Sequence, residues 1–176
     1  MIIKKTKFQD LLLINNNANH DKRGYFKEIF IEKDLKKKFP FMVMSKSKKN
    51  VIRGLHLQTN SMQGKYISVA KGKIFDVALD LRTKSKTFGK YFSTILSEEN
   101  SNSVFIPPGF AHGFCALGND NYIFYHCTKY RSPKSEIGII WNDPDLKIIW
   151  PVKKPIISKK DKAQLSFKDY KLRFKI

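Results

Sequence analysis

The clearest structural signal in the sequence is Tyr66-Ile-Ser-Val-Ala-Lys-Gly-Lys-Ile-Phe-Asp-Val-Ala-Leu-Asp-Leu81. Its two halves, Tyr66–Ala70 and Lys73–Leu81, are rich in the β-branched and aromatic residues that favour strands, and Gly72 lies between them. Further short runs of this kind lie on both sides: Val51–Gln58, Tyr91–Leu96, Ser103–Ile106 and Tyr122–Thr128. Gly, Asn, Ser and Pro clusters separate the runs at intervals of about ten residues, and this spacing predicts a β-sandwich or barrel.

Helices are predicted at only two places. A charged stretch from Ile31 to Phe39 ends at Pro40, and a second runs from Ser158, a candidate N-cap, to Leu165. The chain has no repeat or low-complexity linker, and 176 residues is a usual length for one domain. We therefore predict one domain over 1–176, in which 147–176 form a basic C-terminal segment with a short helix. Part of that segment is expected to pack, because it also carries Leu165, Phe167, Leu172 and Phe174.

The net charge is strongly positive, with 34 Lys and Arg against 15 Asp and Glu, which favours anionic partners. Lys is scattered along the chain and far outnumbers Arg, so we predict a solvated basic surface and no specific binding of nucleic acid. No apolar run approaches the about 20 residues of a membrane-spanning helix. No apolar stretch follows the charges of the N-terminus, Met1-Ile-Ile-Lys-Lys5, as it would in a signal peptide. We expect a cytoplasmic protein with no membrane partner.

The sequence lacks the motifs that are typical of several kinds of catalytic, metal and cofactor site. Cys115 and Cys127 form no CxxC pair and are predicted to be reduced and buried. There is no His-x-His pair for a metal site, and no GxSxG elbow for a nucleophile. The absence of GxGxxG and P-loop motifs predicts that no nucleotide cofactor is bound.

Two histidines lie in informative surroundings. His56 follows Arg53-Gly-Leu, so in a regular strand Arg53 and His56 face opposite ways unless Gly54 marks a bulge. An Arg beside a His there suggests a phosphate-bearing ligand next to an acid–base group, and a satisfied core histidine is the alternative. His112 lies in a rigid turn, Ile106–Phe114, that enters a strand.

The other two histidines are less informative. His20 lies in a polar turn and is expected to be solvated. His126 neighbours Tyr125 in a strand, and we expect Tyr125 to be the one that faces inward.

Seven blocks in order resemble the dTDP-4-dehydrorhamnose 3,5-epimerase family, over roughly residues 1–165. They are Asp21–Glu28, Arg53–Gln58, Gln63–Lys65, Phe75–Arg82, Ser85–Gly89, Ile106–Phe114 and Trp141–Pro144 through Ile149–Pro151. The resemblance implies an all-β, cupin-type jelly-roll β-sandwich with a few short helices. It also implies a homodimer that needs no metal and no cofactor.

The activity implied by the resemblance is epimerisation of a nucleoside-diphosphate 4-keto-6-deoxy sugar at C3″ and C5″, the carbons flanking the ketone. In this family pattern His56 is the base, and Asp161 orients its imidazole. Tyr125 is the acid on the opposite face, and its phenol has an ordinary pKa of about 10. Lys65 brings a cation near the enolate oxygen. Asp76 is either a buried partner of Lys65 or part of the strand structure.

The resemblance also implies a set of substrate-binding residues. Arg23, Arg53 and His112 would hold the diphosphate or the sugar, Phe26 and Glu28 would contact the nucleoside, and Gln58, Arg131 and Glu136 complete the set. In the family some contacts of the Arg23–Glu28 stretch come from the neighbouring subunit.

Two departures leave the identity of the substrate open. Phe41-Met-Val-Met-Ser45 stands where the family often has Gln-x-Asn-x-Ser, and Arg131 stands where it often has a second tyrosine. An apolar side chain cannot read the hydrogen-bonding edge of a base, and an added guanidinium favours more phosphate contact or a differently substituted sugar. The alternatives are a monofunctional 3- or 5-epimerase and a relative acting on a CDP-linked, GDP-linked or heptose 4-keto sugar. A cupin that binds a sugar nucleotide without catalysis is the alternative outside the enzymes.

Overall fold

Two antiparallel β-sheets pack face to face in the computed structural model, which describes every residue from Met1 to Ile176. The strands are β1 Ile2–Lys5, β2 Leu12–Asn15, β3 Ala18–Asp21, β4 Gly24–Lys27, β5 Phe41–Lys48, β6 Ile52–Gln58, β7 Lys65–Lys71, β8 Lys73–Asp80, β9 Tyr91–Ser97, β10 Asn102–Ile106, β11 Phe110–Ala116, β12 Asp120–Cys127 and β13 Glu136–Gly138. The helices are α1 Glu32–Leu35, α2 Lys159–Lys162 and α3 Phe167–Arg173, with a 3-10 turn at Pro133–Ser135.

The topology is that of a jelly roll. One sheet has the order β1-β2-β10-β7-β12-β5, the other has the order β13-β6-β11-β8-β9, and β3-β4 form a separate hairpin. From β5 to β12 successive strands alternate between the two sheets, except that β8 and β9 are neighbours. The prediction of an all-β jelly-roll sandwich is confirmed.

The turn between β7 and β8 carries the chain from one sheet to the other. Gly72 has φ +85°, and a Cβ there would lie 2.4 Å from the carbonyl oxygen of Asp120. Only glycine fits that approach. On either side of it, Ile67 and Val69 of β7 and Ile74 of β8 point into the apolar core between the sheets.

The outer face of the five-stranded sheet is covered by the C-terminal segment. Phe167 and Tyr170 of α3 are buried there against Leu79 and other apolar side chains of the sheet. Part of the segment therefore packs, as expected. Leu172, in contrast, is 68% exposed, although it was expected to be among the packing residues.

The short helices agree with the sequence only in part. α1 is a single turn that ends at Lys36, whose φ is +50°, so it is much shorter than the predicted span to Phe39. α2 lies inside the predicted range, and Ser158 is its N-cap, as predicted. α3 and the edge strand β5 were not predicted. No helix is long and apolar enough to cross a membrane.

Candidate active site

A cavity of about 450 Å³ opens where β5, β6, β7, β11 and β12 meet, and β13 and α2 close its rim. Twelve site residues are predicted from the sequence, and nine of them line this cavity: Arg53, His56, Gln58, Lys65, His112, Tyr125, Arg131, Glu136 and Asp161. The other three, Arg23, Phe26 and Glu28, lie elsewhere on the same chain. The fold thus brings residues from distant parts of the sequence to one opening.

His56 and Asp161 form a close pair in the cavity. The imidazole Nε2 lies 2.6 Å from Oδ1 of the Asp161 side chain, which is 6% exposed. Burial raises the pKa of Asp161. The hydrogen bond from His56 and a weaker one from the backbone N–H of Gly54 lower it by a larger amount, so the net pKa is below its ordinary value. Asp161 is therefore a carboxylate that accepts from Nε2–H and leaves Nδ1 of His56 free to take a proton.

Two local features carry Asp161 to His56. The side chain of Ser158 accepts a hydrogen bond from the Asp161 backbone N–H, which fixes the single turn of α2. On β13, Gly138 pairs with His56, and a Cβ at Gly138 would lie 2.5 Å from the side chain of Gln164 and 2.7 Å from the carbonyl oxygen of Leu55. The missing side chain at Gly138 leaves room for the segment that follows α2.

A bulge in β6 lets Arg53 and His56 line the same cavity. His112 of β11 pairs with His56 and Phe114 with Arg53, so two steps on β11 match three on β6. Gly54 has φ +109°, and a Cβ there would meet the backbone of Gly113 at 2.6 Å. The predicted irregularity at Gly54 is confirmed, and it overrides the alternation of the strand.

Tyr125 faces the cavity from β12. Its hydroxyl lies 3.0 Å from the Ser45 hydroxyl, and burial raises its pKa above the ordinary value of a phenol. The phenol therefore stays protonated at physiological pH, as a proton donor must. His126 faces the opposite side, where its ring stacks on Phe30 at 4.0 Å, so the prediction that Tyr125 is the inward residue is confirmed.

Lys65 lies deep in the cavity, next to His56. Its Nζ donates a hydrogen bond of 3.4 Å to the backbone carbonyl of His56. Burial lowers its pKa, and the nearby Cys127, Glu136 and Asp76 oppose that effect only in part. Cys127 and Cys115 are both free and buried, as predicted.

A second buried pair, His112 and Asp76, was not predicted. His112 Nε2 lies 2.7 Å from Asp76 Oδ2, and both side chains are almost fully buried. Asp76 had been considered as a partner of Lys65 or as a strand residue, and its hydrogen bond goes to His112. The ring of His112 meets the ring of Tyr125 edge-on at 6.0 Å, so this pair supports the phenol. The only signal for it was that Asp76 lies between the apolar residues Phe75 and Val77 within β8.

The rim combines charged and positioning groups. Glu136 accepts hydrogen bonds from Lys160 and from Arg131, whose Nε lies 3.1 Å away. Partial burial raises the pKa of Glu136, but these two cations lower it more, so the net pKa is below its ordinary value. Gln58 lines the cavity, but its amide is engaged by the backbone: Oε1 accepts from Ser132 N–H at 2.7 Å, and Nε2 donates to the carbonyls of Ser61 and Tyr130.

One wall of the cavity is apolar. Phe41 and Val43 line it from β5, which is an edge strand of its sheet. The ring of Phe41 also contacts the ring of Tyr130, with their centres 6.0 Å apart. Ser45 is the polar residue of the same face, and its hydroxyl is already bonded to Tyr125. The β5 side of the cavity is therefore mainly apolar.

Arg23, Phe26 and Glu28 do not reach the cavity of their own chain. Arg23 and Phe26 belong to the β3–β4 hairpin, where Phe26 is 68% exposed and Arg23 pairs with Asp21 at 2.6 Å. Glu28, just after the hairpin, is also exposed. The aromatic ring is exposed, and the guanidinium, although paired with Asp21, also faces solvent.

The arrangement suits proton transfer at carbon. A histidine held by a carboxylate can remove a proton, a protonated phenol in the same cavity can return one, and a buried ammonium can stabilise negative charge on oxygen. Within Met1–Ile176 no group of three or more His, Cys, Asp or Glu side chains converges as a metal site would require.

Comparison with known proteins gives a consistent result. A profile of the dTDP-4-dehydrorhamnose 3,5-epimerase family matches residues 5–169. A protein of that name from Methanothermobacter thermautotrophicus is 43% identical over 166 residues, covering 90% of each chain. The Neisseria gonorrhoeae protein of that name is 42% identical over 93% of this chain, which spans only 52% of that relative. The crystal structure of the Bacillus anthracis dTDP-4-dehydrorhamnose 3,5-epimerase with TDP and PPi bound has a TM-score of 0.91 at 38% identity, covering 94% of this chain and 99% of that one.

Proposed function

The chain belongs to the dTDP-4-dehydrorhamnose 3,5-epimerase family of isomerases, and we propose that it inverts C3″ and C5″ of a nucleoside-diphosphate 4-keto-6-deoxy sugar. The observation that carries the proposal is the convergence of the His56–Asp161 pair, Lys65 and Tyr125 on one cavity. These are the three functions that epimerisation next to a ketone requires: a base, a group that stabilises the enolate, and an acid.

In the first step His56 removes a proton from a carbon beside the C4″ ketone. Nδ1 takes the proton, because Nε2 is bonded to Asp161, and the carboxylate stabilises the imidazolium that forms. The electron pair of the broken C–H bond moves into the ring, and the ketone oxygen becomes an enolate. Lys65 supplies the positive charge that stabilises this oxygen.

In the second step Tyr125 donates its proton to the opposite face of the same carbon, which inverts the centre. His56 then loses its proton to solvent and Tyr125 regains one, so that the site is reset without a net change in protons. The hydroxyl of Ser45 is the hydrogen-bond partner of the phenol during this cycle. The same sequence at the second flanking carbon gives the double epimerisation.

The working unit is proposed to be a homodimer in which the β3–β4 hairpin of one protomer completes the cavity of the other. Support comes from the exposure of Arg23 and Phe26 and from their distance from the cavity of their own chain. A guanidinium suits the diphosphate, and an exposed aromatic ring suits a nucleoside base.

The test is incubation of the purified protein with dTDP-4-keto-6-deoxyglucose in D2O, followed by mass spectrometry and NMR. Deuterium at both C3″ and C5″ with inversion is the expected result. Deuterium at one carbon alone would identify a monofunctional epimerase and overturn the double inversion. If no deuterium enters, CDP- and GDP-linked 4-keto sugars are tested next, because the wall of Phe41 and Val43 offers no hydrogen bond to thymine. A failure with all three nucleotides leaves a binding protein and overturns the catalytic proposal.

A further inference from the structure

Three charged side chains form a cluster at the mouth of the cavity. Glu136 accepts from Arg131 through one carboxylate oxygen and from Lys160 through the other. Arg131 follows β12, Lys160 belongs to α2, and Glu136 begins β13, so three separate segments contribute. The side chains of Arg131 and Lys160 are 55% and 57% exposed, whereas that of Glu136 is 13% exposed.

This cluster is better suited to binding than to stabilising the fold. The side chains of Arg131 and Lys160 are more than half exposed, so solvent accommodates each cation when it turns from Glu136 to another anion. The largely buried Glu136 carboxylate bears most of the cost of that exchange. Two cations against one carboxylate leave an excess positive charge, and Asp161, the other carboxylate of the cavity, is already bonded to His56. Cations that meet the two oxygens of a carboxylate are also arranged to meet two oxygens of a phosphoryl group.

The position of the cluster fits the length of the substrate. Glu136 of β13 pairs with Gln58, which lies two residues beyond His56 on β6. Gln58 and His56 therefore face the same side of the sheet, and Glu136 faces that side as well. Two residues of a strand span about 7 Å. A sugar whose reacting carbon lies at His56 would bring its diphosphate to a distance of this order.

Gln58 fixes the segment that carries Arg131. Its amide oxygen accepts from the backbone N–H of Ser132, and its amide nitrogen donates to the backbone carbonyl of Tyr130, so both neighbours of Arg131 are held. These contacts fix the backbone on both sides of Arg131 at the rim of the cavity. Gln58 therefore has a positioning role.

Resting on the proposed function, we propose that Arg131 and Lys160 form a diphosphate subsite, and that Glu136 acts as an internal competitor that the diphosphate displaces. The subsite would select for a diphosphate-linked sugar over the free sugar.

The test is isothermal titration of the full-length protein with inorganic pyrophosphate. Arg131→Gln and Lys160→Gln are each expected to weaken binding about tenfold, the effect of losing one charge-assisted contact. Glu136→Gln keeps hydrogen-bonding groups but removes the competing charge, so it is expected to tighten binding severalfold. Lys134→Gln and Lys159→Gln are the matched controls, because these exposed lysines neighbour the cluster without lining the cavity, and they should change Kd less than about twofold.

Any one of three results would overturn the proposed subsite. They are unchanged pyrophosphate binding in Arg131→Gln, weaker binding in Glu136→Gln, or a loss confined to Arg53→Gln, which would put the diphosphate at the other end of β6. Circular dichroism of each variant shows that the fold is intact. Solvent exchange by the unmodified protein tests the proposed function separately, so the failure of one proposal is distinguishable from the failure of the other.

Discussion

His56 and Asp161 lie 2.6 Å apart although 105 residues separate them in the sequence. The pair depends on a helix of one turn, because α2 is only Lys159–Lys162 and is fixed by the cap at Ser158. The same short motif occurs again eight residues later, where Ser166 caps α3 through the backbone N–H of Asp169. Asp169 faces solvent, so the pattern Ser-x-x-Asp alone does not identify the residue that serves the site.

Asp161→Asn is expected to lower the rate of deuterium incorporation about 10²- to 10⁴-fold, because a neutral amide cannot stabilise the imidazolium of His56. The matched control is Asp169→Asn, which makes the same change at the equivalent place in the other Ser-x-x-Asp motif and should retain nearly full activity. Both variants are compared by NMR in D2O. Equal loss in the two would mean that the helix caps, rather than the pair with His56, determine the rate.

Tyr125→Phe is expected to separate proton removal from inversion. Without the phenol, His56 still removes a proton and can return deuterium only to the face from which it came. The recovered sugar should then carry deuterium with retained configuration, while inverted product falls about 100-fold or more. His56→Asn should show no exchange of either kind.

The control for this experiment is Tyr122→Phe, which makes the same change on the same strand but outside the cavity. Inverted product formed at the normal rate by Tyr125→Phe would assign the acid to another group.

Lys65→Met is expected to remove activity and to stabilise the fold. Burial lowers the pKa of Lys65, so at neutral pH its charge costs folding free energy. The unfolded chain binds more protons between the lowered pKa and the ordinary value of 10.5, so the stability of the unmodified protein rises with pH through that window. A gain on the order of 1 kcal/mol at pH 7 would raise Tm by about 2–4 °C, and it should shrink toward pH 10.

Thermal unfolding of both proteins at pH 7 and pH 10 measures this difference. Lys71→Met, at the exposed end of the same strand, is the control and should change Tm little at either pH. A lower Tm for Lys65→Met at pH 7 would mean that its hydrogen bond to the His56 carbonyl outweighs the cost of burying the charge.

Arg23→Ala and His56→Asn are expected to be inactive alone and to restore activity when mixed. In a hybrid dimer, one cavity combines His56 of the first protomer with Arg23 of the second, and the other cavity carries both changes. Random exchange of protomers makes half the dimers hybrid, so about a quarter of the normal activity should return. Mixing the Asp161→Asn and His56→Asn variants is the control, because both changes affect the same protomer's residues and should give no recovery. Absence of recovery in the first mixture would contradict a hairpin shared between protomers.

Much of the sandwich could be predicted from local patterns, since Tyr66–Ala70 and Lys73–Leu81 match β7 and β8 closely. β5 was missed because Phe41–Met44 has no alternation of polar and apolar residues, which is the signal of a half-buried strand. Its edge position explains this: Met42 and Met44 are exposed although they are apolar. α3 was missed because Phe167 and Leu172 were expected to pack, but their spacing was not recognised as that of a helix.

The site was harder to predict than the fold. The resemblance named His56, Lys65, Tyr125 and Asp161, and the fold brings these side chains to one cavity. The pairing of Asp76 with His112 depends on the register of β8 with β11, which no local pattern contains. The remoteness of Arg23 and Phe26 from their own cavity agrees with the resemblance, which implies contacts of the Arg23–Glu28 stretch with a neighbouring subunit.

The apolar wall of β5 has a consequence for how this enzyme could change over evolutionary time. Phe41 and Val43 belong to a strand that is paired on one side only, whereas His56, Lys65 and Tyr125 belong to strands paired on both sides. Substitutions on an edge strand disturb fewer neighbours, so this wall can change while the positions of His56, Lys65 and Tyr125 are preserved. A change in this wall therefore costs the fold less than a change in the strands that hold His56, Lys65 and Tyr125.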